Sequence, residues 1–575
     1  MLRPRSTSLL IASLLAACGG GGGGGDTVGV CTPSASPASL AGSLVPKEVS
    51  TKIGTEGSPA VYTDKNSYLP GETIRFHGGT IARITDPTFQ FRIMRMGAKG
   101  GPDPEPGTWA EIPAFAPQSP GPDGWEDCCD WPEVHSFTIP SDWESGLYWA
   151  KVSLASDGEV FSEAFFVVRA ADAGTEPDPN EPRIVVSVPF TTAYAYDNWG
   201  GKSVYDGLDN SSAGERASRV SLSRPFAGKS RDKLTAWLDP FIRWAQDEGI
   251  ALDFVANTDF HKDPKILDPY HLFLTVGHDE YWSSEMRGAL ERHLDLGGNA
   301  AFLSGNNMWW RIRFEGPSTG LPNGRMRVDK IDPQEGSTPP SGAAAEAHEG
   351  HWFWVDPEVK VFGAGYARGG WNRDGDAGVQ PDYIVQKPDH WAFDGIPFTL
   401  GSAFGAANAI VNFEADGADF TYSAPGGPAI ATHTDGAPAT LDILAIAELF
   451  GWQSEFEEEA GSYWAGKSHY TGEPGRWATM VAYEHAGGGE VFNAATAYWA
   501  EGLKSCAAPA YECRITRNVI ERLKLSGKSL APSEPPPPDT ETPAPAPAPA
   551  PSPAPAPAPA PAPSPAPAPS DAPNC

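Results

Sequence analysis

The segment "DAGTEPDPNEP" (172–182) separates two incompatible periodicities, and that change constrains the fold more than any other feature of the chain. Before it, apolar residues alternate. In "TFQFRIMRMG", Phe89, Phe91 and Ile93 share one face while Gln90 and Arg92 share the other; in "GLYWAKVSL", Tyr148, Ala150, Val152 and Leu154 form an apolar face. "LPGET" supplies a turn before a strand at Ile74 to Phe76, and "FSEAFFVVRA" closes the set. Short strands, Gly and Pro turns and no helical period predict an Ig-like β-sandwich over 50–171.

After the segment, "RIVVSV" is a continuous apolar run, as expected of a strand buried on both faces. "SRDKLTAWLDPFIRWAQDEGI" aligns Leu234, Leu238, Phe241 and Ala245 on one helical face, with a kink expected at Pro240 and a stop at Gly249. "ALDFVAN", "HLFLTVG" and "NAAFLSG" read as further strands, with a helix from Ser283 that aligns Met286, Leu290 and Leu294. "RWATMVAYE" and "GEVFNAATA" flank "HAGGG" as an antiparallel hairpin, expected at a sheet edge. A last helix carries Ile515, Val519, Ile520 and Leu523. The alternation predicts a parallel α/β sheet across 183–527, with an irregular insertion around 315–400.

The ends are different in kind. Arg3 and Arg5 precede "LLIASLLAA", which is too short to span a bilayer. The run ends at Leu15-Ala16-Ala17-Cys18 and resembles the lipobox of bacterial lipoproteins, which implies removal of 1–17 and acylation of Cys18. The expected location is therefore the cell envelope, on the outer membrane through a lipid anchor. Residues 18–49 read as a Gly/Ser/Pro-rich linker, and 528–575 as a disordered Pro/Ala tail of polyproline II character. With 73 acidic against 42 basic residues, a net charge of −31 and no basic run, nucleic acid is excluded as a partner. Export permits disulfides. Cys506 and Cys513 enclose a short loop and are the expected pair. For the adjacent Cys128 and Cys129, longer-range partners and a bond between neighbours both stand, and Cys31 and Cys575 have no assigned partner.

Ligands of open parallel sheets bind beyond the carboxyl ends of the strands. Three such crests concentrate polar residues. In "LFLTVGHDEYW" (272–282), Val276 is expected to close the strand, Gly277 to turn the chain, and Ser283 to cap the following helix. The others are "SGNNMWW" (304–310) and "TTAYAYDNWGG" (191–201). His278, Glu280, Tyr281 and Asn306 are the candidate catalytic residues. Glu280 suits a general base if burial raises its pKa, or else a salt bridge to Arg311 or Arg313. Asp197, Asn198, Trp199, Trp282 and Asn307 are candidate substrate contacts. Asp259 and His261 of "NTDFH" either reach the same crevice or form a turn and a helix cap. "HEGH" (348–351) lacks the i,i+4 spacing of a zinc helix, and there is no G-x-S-x-G elbow or G-x-G-x-x-G loop.

"AYDNWGGKSVY", "GHDEYW" followed by a helix, "AFLSGNNMWWRIRFE" and "GGGEVFNAATAYWAEGL", in that order, resemble the C-terminal domain of the N,N-dimethylformamidase large (beta) subunit, in the branch of exported proteins where it follows a β-sandwich. The resemblance implies a glutamine-amidotransferase-like (flavodoxin-like) α/β fold and hydrolysis of an amide or related C–N bond. It also implies one iron held by two tyrosines and a glutamate, with Tyr281 at the tyrosine of the motif. The family's glutamate context reads "GAGYARGGW" (363–371) here, and Phe254 stands near the expected second tyrosine. The elbow "LSGNN" has no cysteine, which excludes amidotransferase chemistry. The alternative function is a non-catalytic envelope module that binds a glycan or peptide.

Overall fold

The computed structural model describes residues 58–526 except 81–84, 98–107, 120, 172–181, 206–215, 228, 317–323, 331–349, 373–379 and 450–475. The signal segment, Cys18, the 18–49 linker, nearly all of the 172–182 segment and the 528–575 tail lie outside these residues. No helix among the described residues is long and apolar enough to cross a membrane.

The alternating strands form two sheets. A three-stranded sheet runs Pro59–Thr63, Thr73–Thr80, Glu133–Thr138, and a five-stranded one Ser67–Tyr68, Phe161–Val168, Gly146–Leu154, Thr88–Arg95, Ala110–Pro113. Phe89, Phe91, Ile93, Tyr148, Ala150 and Val152 pack against Ile74 and Phe76 of the facing sheet. The other face of the five-stranded sheet is also covered. Met94, Leu147, Trp149, Phe165 and Val167 share one apolar cluster with Val186, Phe226, Leu238 and Ile242. This explains why Phe161–Val168 is buried at all eight positions, whereas a half-solvated strand would alternate. The described residues therefore belong to one compact unit, and the boundary visible in the periodicity is not a break in the core.

Beyond residue 183 the main sheet has nine strands, in the order Asp253–Ala256, Ile184–Val188, Leu272–His278, Asn299–Gly305, Glu490–Asn493, Arg476–Glu484, Asp442–Leu449, Tyr383–Val385, Ala403–Phe404. The pairs from Asp253–Ala256 through Glu490–Asn493 are parallel, and the remaining pairs are antiparallel, so the sheet is mixed. The hairpin around "HAGGG" does form, but in mid-sheet, because Asp442–Leu449 and two shorter strands extend the sheet past it. The long helical pattern near 230–249 is two helices, Ser230–Thr235 and Leu238–Asp247. Pro240 does not kink a continuous helix. It occupies the first turn of the second one, where its missing N–H is not needed. The closing helix Tyr511–Ser526 buries Ile515, Val519, Ile520 and Leu523 as its spacing requires. Cys506 is bonded to Cys513, and Cys128 to Cys129.

The strand expected to stop at Val276 continues through His278, with Gly277 opposite Ser304 and His278 opposite Gly305. Gly277 is therefore no turn residue. It has φ +85°, and a Cβ there would lie 2.7 Å from the Trp237 Cβ, so glycine is demanded twice over.

Candidate active site

The residues after His278 are clamped by backbone contacts. Tyr281–Trp282 forms a short parallel pair with Trp310 and Arg311, at the edge of a four-stranded sheet. Trp310 N–H donates to the Glu280 carbonyl (2.9 Å), Met308 N–H to the Asp279 carbonyl (2.9 Å), and Glu280 N–H to Thr192 Oγ1 (3.0 Å). Thr191 Oγ1 donates to the Tyr281 carbonyl (2.7 Å). Thr191 and Thr192 lie on the helix Phe190–Tyr196, so the crests at 191–201 and 272–282 are fixed to each other before any functional side chain is considered.

Around this frame a buried polar cluster is assembled. Tyr205 Oη donates to the Glu280 carboxylate, 2.8 and 2.7 Å from its two oxygens. Tyr196 Oη donates to Glu280 Oε2 at 3.3 Å, and Tyr281 Oη donates to Tyr205 Oη at 2.6 Å. His278 Nε2 lies 3.1 Å from Glu280 Oε2, 3.1 Å from Glu414 Oε2 and 3.2 Å from Tyr196 Oη. Glu414 arrives from the strand Phe413–Gly417, which is held at the carboxyl end of the main sheet: Asp416 N–H donates to the Ala495 carbonyl and Ala497 N–H to the Glu414 carbonyl, both at 3.0 Å. Two ammonium groups stand over the phenol rings, Lys330 Nζ 3.1 Å from the Tyr205 centroid and Lys233 Nζ 4.1 Å from that of Tyr196. Tyr205 and Glu414 are half-buried, whereas Tyr196, His278, Glu280 and Tyr281 are buried.

The electrostatics separate the two carboxylates. Burial opposes ionisation of Glu280, but the hydrogen bond and charge of His278, then Lys330 and Tyr205, outweigh it and hold Glu280 below the usual carboxylate range. Glu414 moves the other way. Burial raises it, His278 counteracts in part, and the nearby Glu280 charge raises it further. Burial, then the Glu280 charge, pushes Tyr196, Tyr205 and Tyr281 well above the usual phenol range, so without a cation each phenol keeps its proton and donates it as a hydrogen bond. Two carboxyls on one imidazole nitrogen, pushed in opposite directions, make an acid–base arrangement.

The model of the family described as "N,N-dimethylformamidase beta subunit-like, C-terminal" matches residues 90–513. The chain belongs to this family. The match begins within the strand Thr88–Arg95, so the dimethylformamidase-like region takes in part of the sandwich as well as the residues after 183. No curated protein matches. Among solved structures, a Paenibacillus cycloisomaltooligosaccharide glucanotransferase complexed with cycloisomaltoheptaose aligns at 12% identity and a TM-score of 0.13, over 47% of this chain and 34% of that one. The chain thus spans about a third of that enzyme's length, and a likeness so weak carries no argument.

Not every candidate residue faces the cluster. His278, Glu280 and Tyr281 do, and Asn306, in the elbow after "AFLSG", is near enough to Glu414 to lower its pKa in part. Asn307 lies one step out. Its Nδ2 donates to Asp416 Oδ2 (2.9 Å), and Asp416 also receives the backbone N–H of Asn306 and Asn307. Asp197 is instead committed to a fully buried ion pair with Arg224 (3.3 Å) and to the N–H groups of Trp199 and Ala227. Trp199 packs edge-on against Trp131 (5.4 Å), and Asn198 closes a turn with Gly201. Asp259 accepts from Ser67 Oγ (2.5 Å) and Ala256 N–H, tying the sandwich to a helix start. His261 contacts Ser283 Oγ (2.7 Å), and Trp282 is enclosed by Phe260, Phe273 and Phe362. These six serve the scaffold, each through short-range partners that a crest position alone does not disclose. Arg311 and Arg313 are not partners of Glu280 either; they bind Ser284 and Asp329.

The residues missed are Tyr196, Tyr205, Glu414, Lys233 and Lys330. Both tyrosines lie inside "AYDNWGGKSVY", and the two phenols nine positions apart were the available signal. Glu414 carries no local motif that marks it. Among the described residues no group of three or more His, Cys, Asp or Glu side chains is arranged to hold a metal. The phenols that reach the Glu280 carboxylate are Tyr196 and Tyr205, whereas Tyr281 reaches only Tyr205.

Proposed function

We propose that this cluster hydrolyses an amide or related C–N bond. The observation that carries the reading is the convergence of two phenols on the Glu280 carboxylate beside an imidazole shared with Glu414. The donor chemistry fits the iron implied by the family: two phenol oxygens and one carboxylate, all hard donors, face one another. Tyr196, Tyr205 and Glu280 would hold it, with Tyr281 hydrogen-bonded behind Tyr205 rather than acting as a ligand. Bound iron supplies Lewis acidity for a carbonyl oxygen and makes a water more acidic.

The protein's own groups handle the protons. Glu414, held above the usual carboxylate range and 3.1 Å from His278 Nε2, takes a proton from the attacking water and returns it to the departing amine nitrogen. His278 keeps the two carboxylates apart in role by favouring ionisation of Glu280. Asp416 fixes the Asn306 backbone close to Glu414. The amidotransferase-like fold class remains an inference from the resemblance, with the four parallel strand pairs from Asp253–Ala256 through Glu490–Asn493 as its support. The lipobox-like run ending at Cys18 supports tethering to the cell envelope, with a small-molecule or envelope-polymer amide as the substrate. Glu414→Gln should lower the rate of amide hydrolysis roughly 10²–10⁴-fold in a steady-state assay, as loss of a general acid–base does. An unchanged rate would remove Glu414 from the reaction.

A further inference from the structure

Lys233 is the least accounted-for charge near the cluster. Its side chain comes from the helix Ser230–Thr235 and is 9% exposed. The ammonium sits over three rings, 4.1 Å from the Tyr196 centroid, 4.6 Å from Phe413 and 5.5 Å from Trp237. The same three rings border the His278 imidazole at 5.8, 5.6 and 6.3 Å. Among the described residues the ammonium makes no hydrogen bond or ion pair, although Glu414 and Glu280 are close enough to influence its charge. A buried ammonium carries three donors, and ring faces satisfy its charge only in part. Leaving those donors without an acceptor is costly unless a ligand supplies one. Phe413 is half-buried, as is Tyr498, which packs on both Phe413 and Trp237, so partly exposed aromatic rings lie beside the ammonium.

We propose that Lys233 forms an oxyanion-binding subsite, so that the favoured substrates are amides bearing a carboxylate close to the scissile C–N bond, as in an N-acylated amino acid. The inference deepens the hydrolase reading and rests on it for the words "scissile bond", but the binding it asserts does not depend on turnover. A carboxylate is the acceptor that best matches a desolvated ammonium, because charge-assisted hydrogen bonds are about twice as strong as neutral ones. The aromatic rings suit a short acyl or alkyl chain between carboxylate and amide.

N-acetylglycine and its neutral counterpart N-ethylacetamide separate the possibilities. Calorimetry on the full chain should show N-acetylglycine binding at least tenfold more tightly than N-ethylacetamide, with the ratio reduced at least tenfold in Lys233→Met and largely restored in Lys233→Arg. Where turnover is measurable, the same ratio should appear in KM more than in kcat. Equal binding of the two compounds by the native chain, or a ratio unchanged in a folded Lys233→Met, overturns the subsite. Lys233-dependent binding of N-acetylglycine with neither amide hydrolysed supports the subsite and counts against the hydrolase reading instead.

Discussion

At the scale of single residues, function is concentrated in how one imidazole divides two carboxyls. His278 and its neighbours hold Glu280 below the usual carboxylate range, while burial and the Glu280 charge push Glu414 above it. Tyr205 should matter more than Tyr281, because only Tyr205 touches the carboxylate. Tyr205→Phe should abolish hydrolysis, and Tyr281→Phe should reduce it by about tenfold, the worth of one oriented hydrogen bond near 1.4 kcal/mol; equal effects in a steady-state comparison would reverse the assignment. The motif "GHDEYW" marks His278, Glu280 and Tyr281 because a strand end and the polar residues after it are contiguous. A local run does not tell which side chain points at which carboxylate, and the Tyr281 hydroxyl meets Tyr205. Glu414 was illegible because its relation to His278 is created only when a strand more than a hundred residues away is laid beside the sheet end.

A further buried carboxyl, Glu358, makes a pH prediction. Burial, opposed by backbone hydrogen bonds, pushes Glu358 up to about 8 from an ordinary 4.5, and its Oε2 has no hydrogen-bond partner among the described residues. The folded state therefore holds this proton more tightly than the unfolded state. Its contribution to stability is fully present below about 4.5 and is lost as pH rises towards about 8. Glu358→Gln should flatten the fall in Tm between pH 5 and 8. A variant whose Tm falls as steeply as the native chain would show that Glu358 is ionised in the fold.

At the scale of elements, the informative positions are those where backbone conformation and neighbours agree. Gly277 combines φ +85° with a Cβ site 2.7 Å from Trp237, in the strand that delivers His278. Gly277→Ala should cost about 2–4 kcal/mol in denaturant unfolding, from positive φ and overpacking together. A loss under 1 kcal/mol would mean that Trp237 moves freely. Helix and strand existence was readable wherever burial follows a period, as in the helix carrying Ile515 to Leu523. The split at Ala236–Trp237 was not, since both halves present the same apolar face. The hairpin's place in mid-sheet was equally hidden, because the strands outside it come from a region with weak periodicity.

At the scale of the whole molecule, the sandwich and the α/β part are one folding unit in spite of the Pro-rich segment between them. Phe165 shows why: it packs on Trp149 and Phe226, from opposite sides of that segment. Arg231 and Glu163 add an ion pair across the same boundary at 2.7 Å. Phe165→Ala should destabilise both parts together by about 3–5 kcal/mol, seen as one calorimetric transition shifted down; two separated transitions in the native chain would contradict a shared core. The switch in periodicity says nothing of the second face of the sandwich sheet. That face is apolar on the strands that flank it, a pattern readable as burial but not as burial against a particular partner.

Tyr196, Tyr205 and Glu280 are proposed to form a metal-competent centre in this dimethylformamidase-like chain. Iron content per chain, measured after exposure to ferrous iron and desalting, tests it most directly. The expected result is about one iron per native chain, with less than about a tenth of that in Tyr205→Phe and near-native content in Tyr281→Phe. An iron-free native chain, or full iron retention in Tyr205→Phe, would contradict it.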